Sequence, residues 1–288
     1  MIFINPKIDF AFKKIFGSEG SKDILISFLN ALIYEDQQII QDLEIINPYL
    51  APKIRGIKDT YLDIKAKIID PQTNKQQTII IEMQVLNVEG FEKRILYNAA
   101  KSYSTQLASG QGYHLLNPVI ALTITDFVMF AELGNVTSRF ILKEKDYLID
   151  YPIYDIELVF VELPKFKKEL TELITIVDKW LYFLTHARSL ADIPEEMGSI
   201  PEIKKAFYVA NQANMTLDEL EDQEKREIFI QDQRGAIAKA LQQGLEQGSQ
   251  QRAIEIAKKM LNLMDDRAIC ELTGLAIADL ELLRRSQD

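Results

Sequence analysis

The chain has 288 residues, 47% of them hydrophobic and 26% charged, with 33 basic against 43 acidic side chains and a formal charge of −10. This is the composition of a soluble globular protein with room for one large or two ordinary domains. No apolar run reaches the ~18–20 residues of a membrane helix, and "MIFINPKIDFAFKKIF" lacks the successive basic, apolar and small-residue segments of a signal peptide, so a cytoplasmic protein is expected.

A single cysteine, Cys270, excludes an intramolecular disulfide and a cysteine-rich zinc site. With only His114 and His186 as imidazoles, a metal would be held mainly by oxygen, which favours Mg²⁺, Mn²⁺ or Ca²⁺. Charge is unevenly spread. Residues 1–126 hold 13 basic and 14 acidic side chains, and residues 127–288 hold 20 and 29. Bulk charge therefore gives no support to strong nonspecific DNA binding, although a cationic face in the first part is compatible with it.

In chain order, Pro6 opens a short helix that Gly17 ends, and Ser21 caps a second with Ile24, Leu25, Phe28, Leu29 and Leu32 at helical spacing. "LEIINPYL", "DTYLDIKAKIID" and "QTIIIEMQVL" read as strands, the last two forming an antiparallel hairpin about the turn "PQTNKQ". The helix "EGFEKRILYNAAKSYSTQLASGQGY" carries an apolar stripe of Phe91, Ile95, Ala99, Tyr103 and Leu107. "NPVIALTITDF" is a buried strand, and "TSRFILKEK" and "DIELVFVELPKF" extend the sheet.

This order predicts a mixed α/β core over residues 1–165. From about Phe166 the pattern is helical, through a segment around Trp180, one starting at Pro201, and a long polar helix whose glycines at 235, 244 and 248 weaken it. An arm from about residue 225 suits self-association or contact with DNA. The close, around Thr273 and Gly274, reads as a capped helical hairpin in preference to a DNA-binding helix-turn-helix.

The hairpin carries the chemistry. In "IIIEMQV", Glu82 and Gln84 share one face of an apolar strand, and in "YLDIKAKI" Asp63 shares a face with Lys65. A short turn would bring Asp63 beside Glu82. Two close carboxylates need a shared proton or a cation between them, and a pairing of buried acids with Lys65 or Lys67 is the structural alternative. A divalent ion bound by Asp63, Glu82 and the Met83 carbonyl would keep positions open for water and a phosphate oxygen.

"DFAFKKIFG", "LDIKAKI", "IEMQV", "FEKRILYNAAKSYSTQLASGQGY" and "ELTGLAIADLELL" together resemble the Rpn-like recombination-promoting nuclease/transposase family of the PD-(D/E)XK nuclease superfamily. The resemblance runs nearly end to end and is strongest over residues 5–126. It implies a restriction-endonuclease-like core followed by an all-helical C-terminal region at 166–288. It also implies a Mg²⁺-dependent DNA endonuclease, with Mn²⁺ as a second choice of ion, acting in DNA recombination, transposition or defence in a bacterial cytoplasm. A homo-oligomer, a dimer, is the expected assembly.

On the same resemblance, Asp63 and Glu82 are the motif acids. Gln84 stands where the superfamily usually has lysine, which leaves the positive charge to Lys65, Lys13 or a second metal. Asp9 matches the acid of the family's N-terminal helix, or else pairs with Lys13 one turn on. Arg94, Asn98, Lys101 and Thr105 form one face of their helix, from which Arg94 and Lys101 would reach DNA phosphates, or which is simply solvated. The other class of function is a catalytically degenerate module that binds DNA or a protein without cutting. His114, His186, Cys270, Tyr97 and Tyr103 read as packing or surface residues.

Overall fold

A computed structural model describes residues 2–50, 60–69 and 75–285. It contains helices α1 (Asp9–Phe16) and α2 (Lys22–Tyr34) and strands β1 (Leu43–Ile46), β2 (Tyr49–Leu50), β3 (Thr60–Tyr61), β4 (Ile64–Ile69) and β5 (Gln76–Gln84). Helix α3 (Phe91–Ser104) and strands β6 (Val119–Thr125), β7 (Thr137–Phe140) and β8 (Ile156–Glu162) follow. Helices α4 (Ile176–His186), α5 (Glu195–Gly198), α6 (Pro201–Ala210), α7 (Leu217–Met260), α8 (Asp266–Thr273) and α9 (Ile277–Arg285) complete it. Most of the predicted turn "PQTNKQ" lies outside the described residues.

Six strands form one mixed sheet in the order β1-β4-β5-β6-β8-β7, and β2 pairs with β3 in a separate ribbon. β4 and β5 are antiparallel, as the hairpin required, and β5, β6 and β8 are parallel. The central strands read as continuous apolar runs because both their faces are covered. Every residue of β6 is buried.

On one face α3 packs Ala99 against Leu62, Ile80, Val119 and Ala121. On the other lie α1 and α2. Helix α2 is buried almost all round, at Ile24, Leu25, Phe28, Leu29, Ala31, Leu32 and Ile33, because α4 and α6 cover the side turned away from the sheet. The layer is fastened by aromatics: Phe28 meets Phe16 at 4.4 Å and Trp180 edge-on at 5.5 Å. Gly17 lets the end of α1 settle on β4. A Cβ there would lie 2.8 Å from the Lys13 carbonyl and 3.4 Å from Ile64.

The N-terminal segment is tied to a distant part of the chain. The Ile4 N–H donates to the Ala210 carbonyl at 2.9 Å, and the Gln212 N–H to the Ile2 carbonyl at 2.9 Å.

The chain divides into compact units at Met1–Glu227 and Ile228–Asp288. α7 begins in the first and runs as an uninterrupted helix of 44 residues despite its glycines. In the second unit Ala257, Leu261, Ile269 and Leu280 form a small core, and the predicted hairpin turns at Gly274, whose φ of +74° suits glycine. Among the described residues no helix is long and apolar enough to cross a membrane.

Replacing Phe28 by alanine is expected to cost roughly 3–5 kcal/mol, the range for emptying a fully buried phenyl site. Urea unfolding would show it as a lower midpoint at unchanged slope. A midpoint close to that of the parent protein would refute the packing described.

Candidate active site

β4 starts at Ile64, and Asp63 before it is a bend. Were the ladder to continue, the pairing of Ile64 with Ile81 would set Asp63 opposite Glu82. Instead the Asp63 carboxylate takes over from the backbone and accepts the Met83 N–H at 2.7 Å. The neighbouring Gln84 carbonyl points to the other side, accepting the Asp126 N–H. Because the N–H and C=O of a strand residue share an edge, the Met83 carbonyl faces the Asp63 side as well.

The bend turns Asp63 towards α1. The Lys13 Nζ lies 2.6 Å from Asp9 Oδ1 and 3.3 Å from Asp63 Oδ1, and the Arg226 Nη1 of α7 lies 3.1 Å from Asp9 Oδ2. The Asp9 and Asp63 carboxyls thus meet at one ammonium, that of Lys13.

Burial, and next the hydrogen bond and charge of Asp9, push the Asp63 carboxyl up to about 7, against the pull of the Met83 N–H and Lys13. Burial acts upwards on Asp9 too, but its bonds to Asp63 and Lys13 and the charges of Lys13 and Arg226 hold it below the ordinary value. Of the two acids, Asp63 is the one whose charge its surroundings oppose. Burial opposes the charge on Lys13, yet the two acids outweigh it and raise its pKa.

Glu82 meets different partners. Arg94 Nη2 donates to its Oε1, and the Asn98 Nδ2 donates to its Oε2 at 3.3 Å. Burial still raises the Glu82 carboxyl, against the charge and hydrogen bond of Arg94 and the bond from Asn98. The same Arg94 nitrogen donates to Gln84 Oε1 at 2.7 Å, while the Gln84 amide nitrogen donates to the Leu86 carbonyl. The guanidinium also lies over the Phe91 ring. Asn98 Oδ1 and Arg94 Nε are buried without a partner among the described residues.

These contacts correct several expectations. The bend breaks strand alternation, so Asp63 and Lys65 do not share a face; Lys65, opposite Ile80, lies on the α3 side in a separate cavity. Lys101 is buried, with its ammonium over the Tyr97 ring, and does not present itself to DNA. Arg94 is bound to Glu82 and Gln84, with its side chain still 40% exposed. The polar face of α3 is turned to the sheet because the sheet beneath it carries those two polar side chains. The carboxyl that meets Asp63 is Asp9, and among the described residues no three acidic, His or Cys side chains are grouped closely enough to hold a metal ion. Asp9 pairs with Lys13 one turn on, and the same lysine meets Asp63. Arg226 carried no sequence signal, being 217 residues from its partner.

The sequence matches the family model described as PD-(D/E)XK nuclease family transposase over residues 6–240. Neither a curated protein nor a solved structure matches.

A carboxyl raised in the folded state stabilises it fully while protonated and loses that contribution as pH climbs through the folded pKa. In EDTA, thermal stability should therefore fall as pH rises from about 4 towards 8. Asp63→Asn, which cannot ionise, should melt higher than the parent at pH 8 and remove much of that fall. Parallel curves for the two proteins would contradict the raised Asp63 carboxyl.

Proposed function

The chain belongs to the PD-(D/E)XK nuclease family transposases, and on that premise we propose that it is a DNA endonuclease hydrolysing phosphodiester bonds with a divalent cation, Mg²⁺ or Mn²⁺. The observation that carries this reading is Asp63, anchored on the Met83 peptide and set beside Asp9 about the Lys13 ammonium. A pair of close carboxyls that cannot both ionise is a hard-oxygen donor set suited to such an ion. Asp63 and the Met83 carbonyl, with Asp9 beside them, would hold it on the α1 side, and Glu82 would join them only on leaving Arg94 and Asn98. The ion would polarise the phosphate and activate water for in-line attack.

The chain's own residues do the rest. Lys13 balances the charge of Asp9 and Asp63 and keeps both carboxyls turned to one point. Gln84 acts through Arg94, whose guanidinium it shares with Glu82. This supplies positive charge beside the residue that replaces the superfamily lysine, and a guanidinium there can bind a phosphate oxygen in a fixed geometry. We assign the reaction to DNA recombination, transposition or defence against foreign DNA.

A non-cleaving DNA- or protein-binding module is the second reading. It is favoured by the ion pair that engages Glu82 and by the lack, among the described residues, of a third acid grouped with Asp9 and Asp63.

Asp63→Ala should abolish Mg²⁺-dependent nicking of plasmid DNA while the protein still melts cooperatively; a mutant as active as the parent would remove Asp63 from the site. Arg94→Ala should lower the cleavage rate by about 10²–10³-fold, the range for deleting one preorganised donor to developing charge. Calorimetric titration with Mg²⁺ and Mn²⁺ separates the two readings, because a degenerate site takes up neither ion.

A further inference from the structure

On the α3 side of the sheet a cavity of about 370 Å³ opens between β4, β5 and the C-terminal end of α3, a size within the range of small-ligand sites. Lys65, Lys67, Gln76, Thr78, Ser102 and Thr105 line it, and among the described residues no aspartate or glutamate does. Lys65 and Lys67 are two residues apart on one strand and so share a face. Both are half-buried, and among the described residues neither forms an ion pair. Glu44 lies opposite Lys67 in the β1–β4 register without pairing with it. Two ammonium groups crowded at one cavity without a counter-charge are unfavourable, and an anion relieves them.

A second, independent feature points the same way. Ser102 is 2% exposed, and its hydroxyl, in the wall of this cavity, has no hydrogen-bond partner among the described residues. A buried hydroxyl left so is uncommon and calls for a missing partner. The carbonyl end of α3, which would repel an anion, is covered: the Lys101 carbonyl accepts from the Thr105 hydroxyl at 2.7 Å and the Thr105 N–H at 3.1 Å. The wall is also fixed. The Gln106 amide bonds both backbone groups of Asn117, each at 2.8 Å.

We propose that this cavity binds a phosphoryl oxyanion, with Lys65 and Lys67 supplying the charge and the Ser102 hydroxyl donating a hydrogen bond. The anion belongs either to a free phosphorylated compound or to the backbone of a nucleic acid. The site is separate from Asp63 and Glu82 and does not depend on cleavage there.

The test uses the full-length protein in EDTA, titrated calorimetrically with inorganic phosphate, with pyrophosphate and with a short DNA duplex. The parent should bind phosphate or pyrophosphate saturably. Lys65→Met combined with Lys67→Met should weaken this at least tenfold, and Ser102→Ala, a smaller change that serves if the double variant fails to fold, should weaken it several-fold. If the anion is a backbone phosphate, the double variant also loses duplex affinity and the salt slope falls by about two. If it is a free compound, duplex binding is unchanged. Absence of saturable phosphate and pyrophosphate binding by the parent, or variants that bind as the parent does, would overturn the proposal.

Discussion

The hydrogen bond from the Met83 N–H to the Asp63 carboxylate decides how the site is arranged. A strand ladder propagates by exchanging backbone bonds, and β4 stops exchanging them at Ile64 because a side chain has taken the acceptor's place. The bend that results sends Asp63 to α1 while Glu82, on the next strand, stays under α3. Each acid is then neutralised from its own side, by Asp9 and Lys13 on one and by Arg94 and Asn98 on the other. Charges taken out of water are tolerated only when met in this way.

The same logic explains α3. An amphipathic helix on a sheet normally turns its polar stripe outward. Here Glu82 and Gln84 interrupt an otherwise apolar sheet surface, and the helix above supplies Arg94 and Asn98 to answer them. Asn98 and Lys101 are buried as a consequence.

Much of the fold was legible in the sequence. Periodicity separated helix from strand, the hairpin followed from two apolar runs about a turn, and the oddity of Glu82 and Gln84 within "TIIIEMQVL" pointed to the polar contacts found there. Three things were not legible. Strand alternation predicts that Asp63 and Lys65 share a face, and only the competing side-chain acceptor breaks it. Helix periodicity separates polar from apolar residues but cannot say that a polar stripe has a polar partner. Arg226 and Asp9 are brought together by tertiary packing alone.

The bridge between Ile2–Ile4 and Ala210–Gln212 bears on how the molecule is made. A ribosome releases the amino end first, yet that end has no seat until more than two hundred further residues have emerged. α1, with Asp9, follows directly behind it. The two bonds that fasten the segment before α1 therefore form only once residue 212 has left the exit tunnel, late in the making of the first unit.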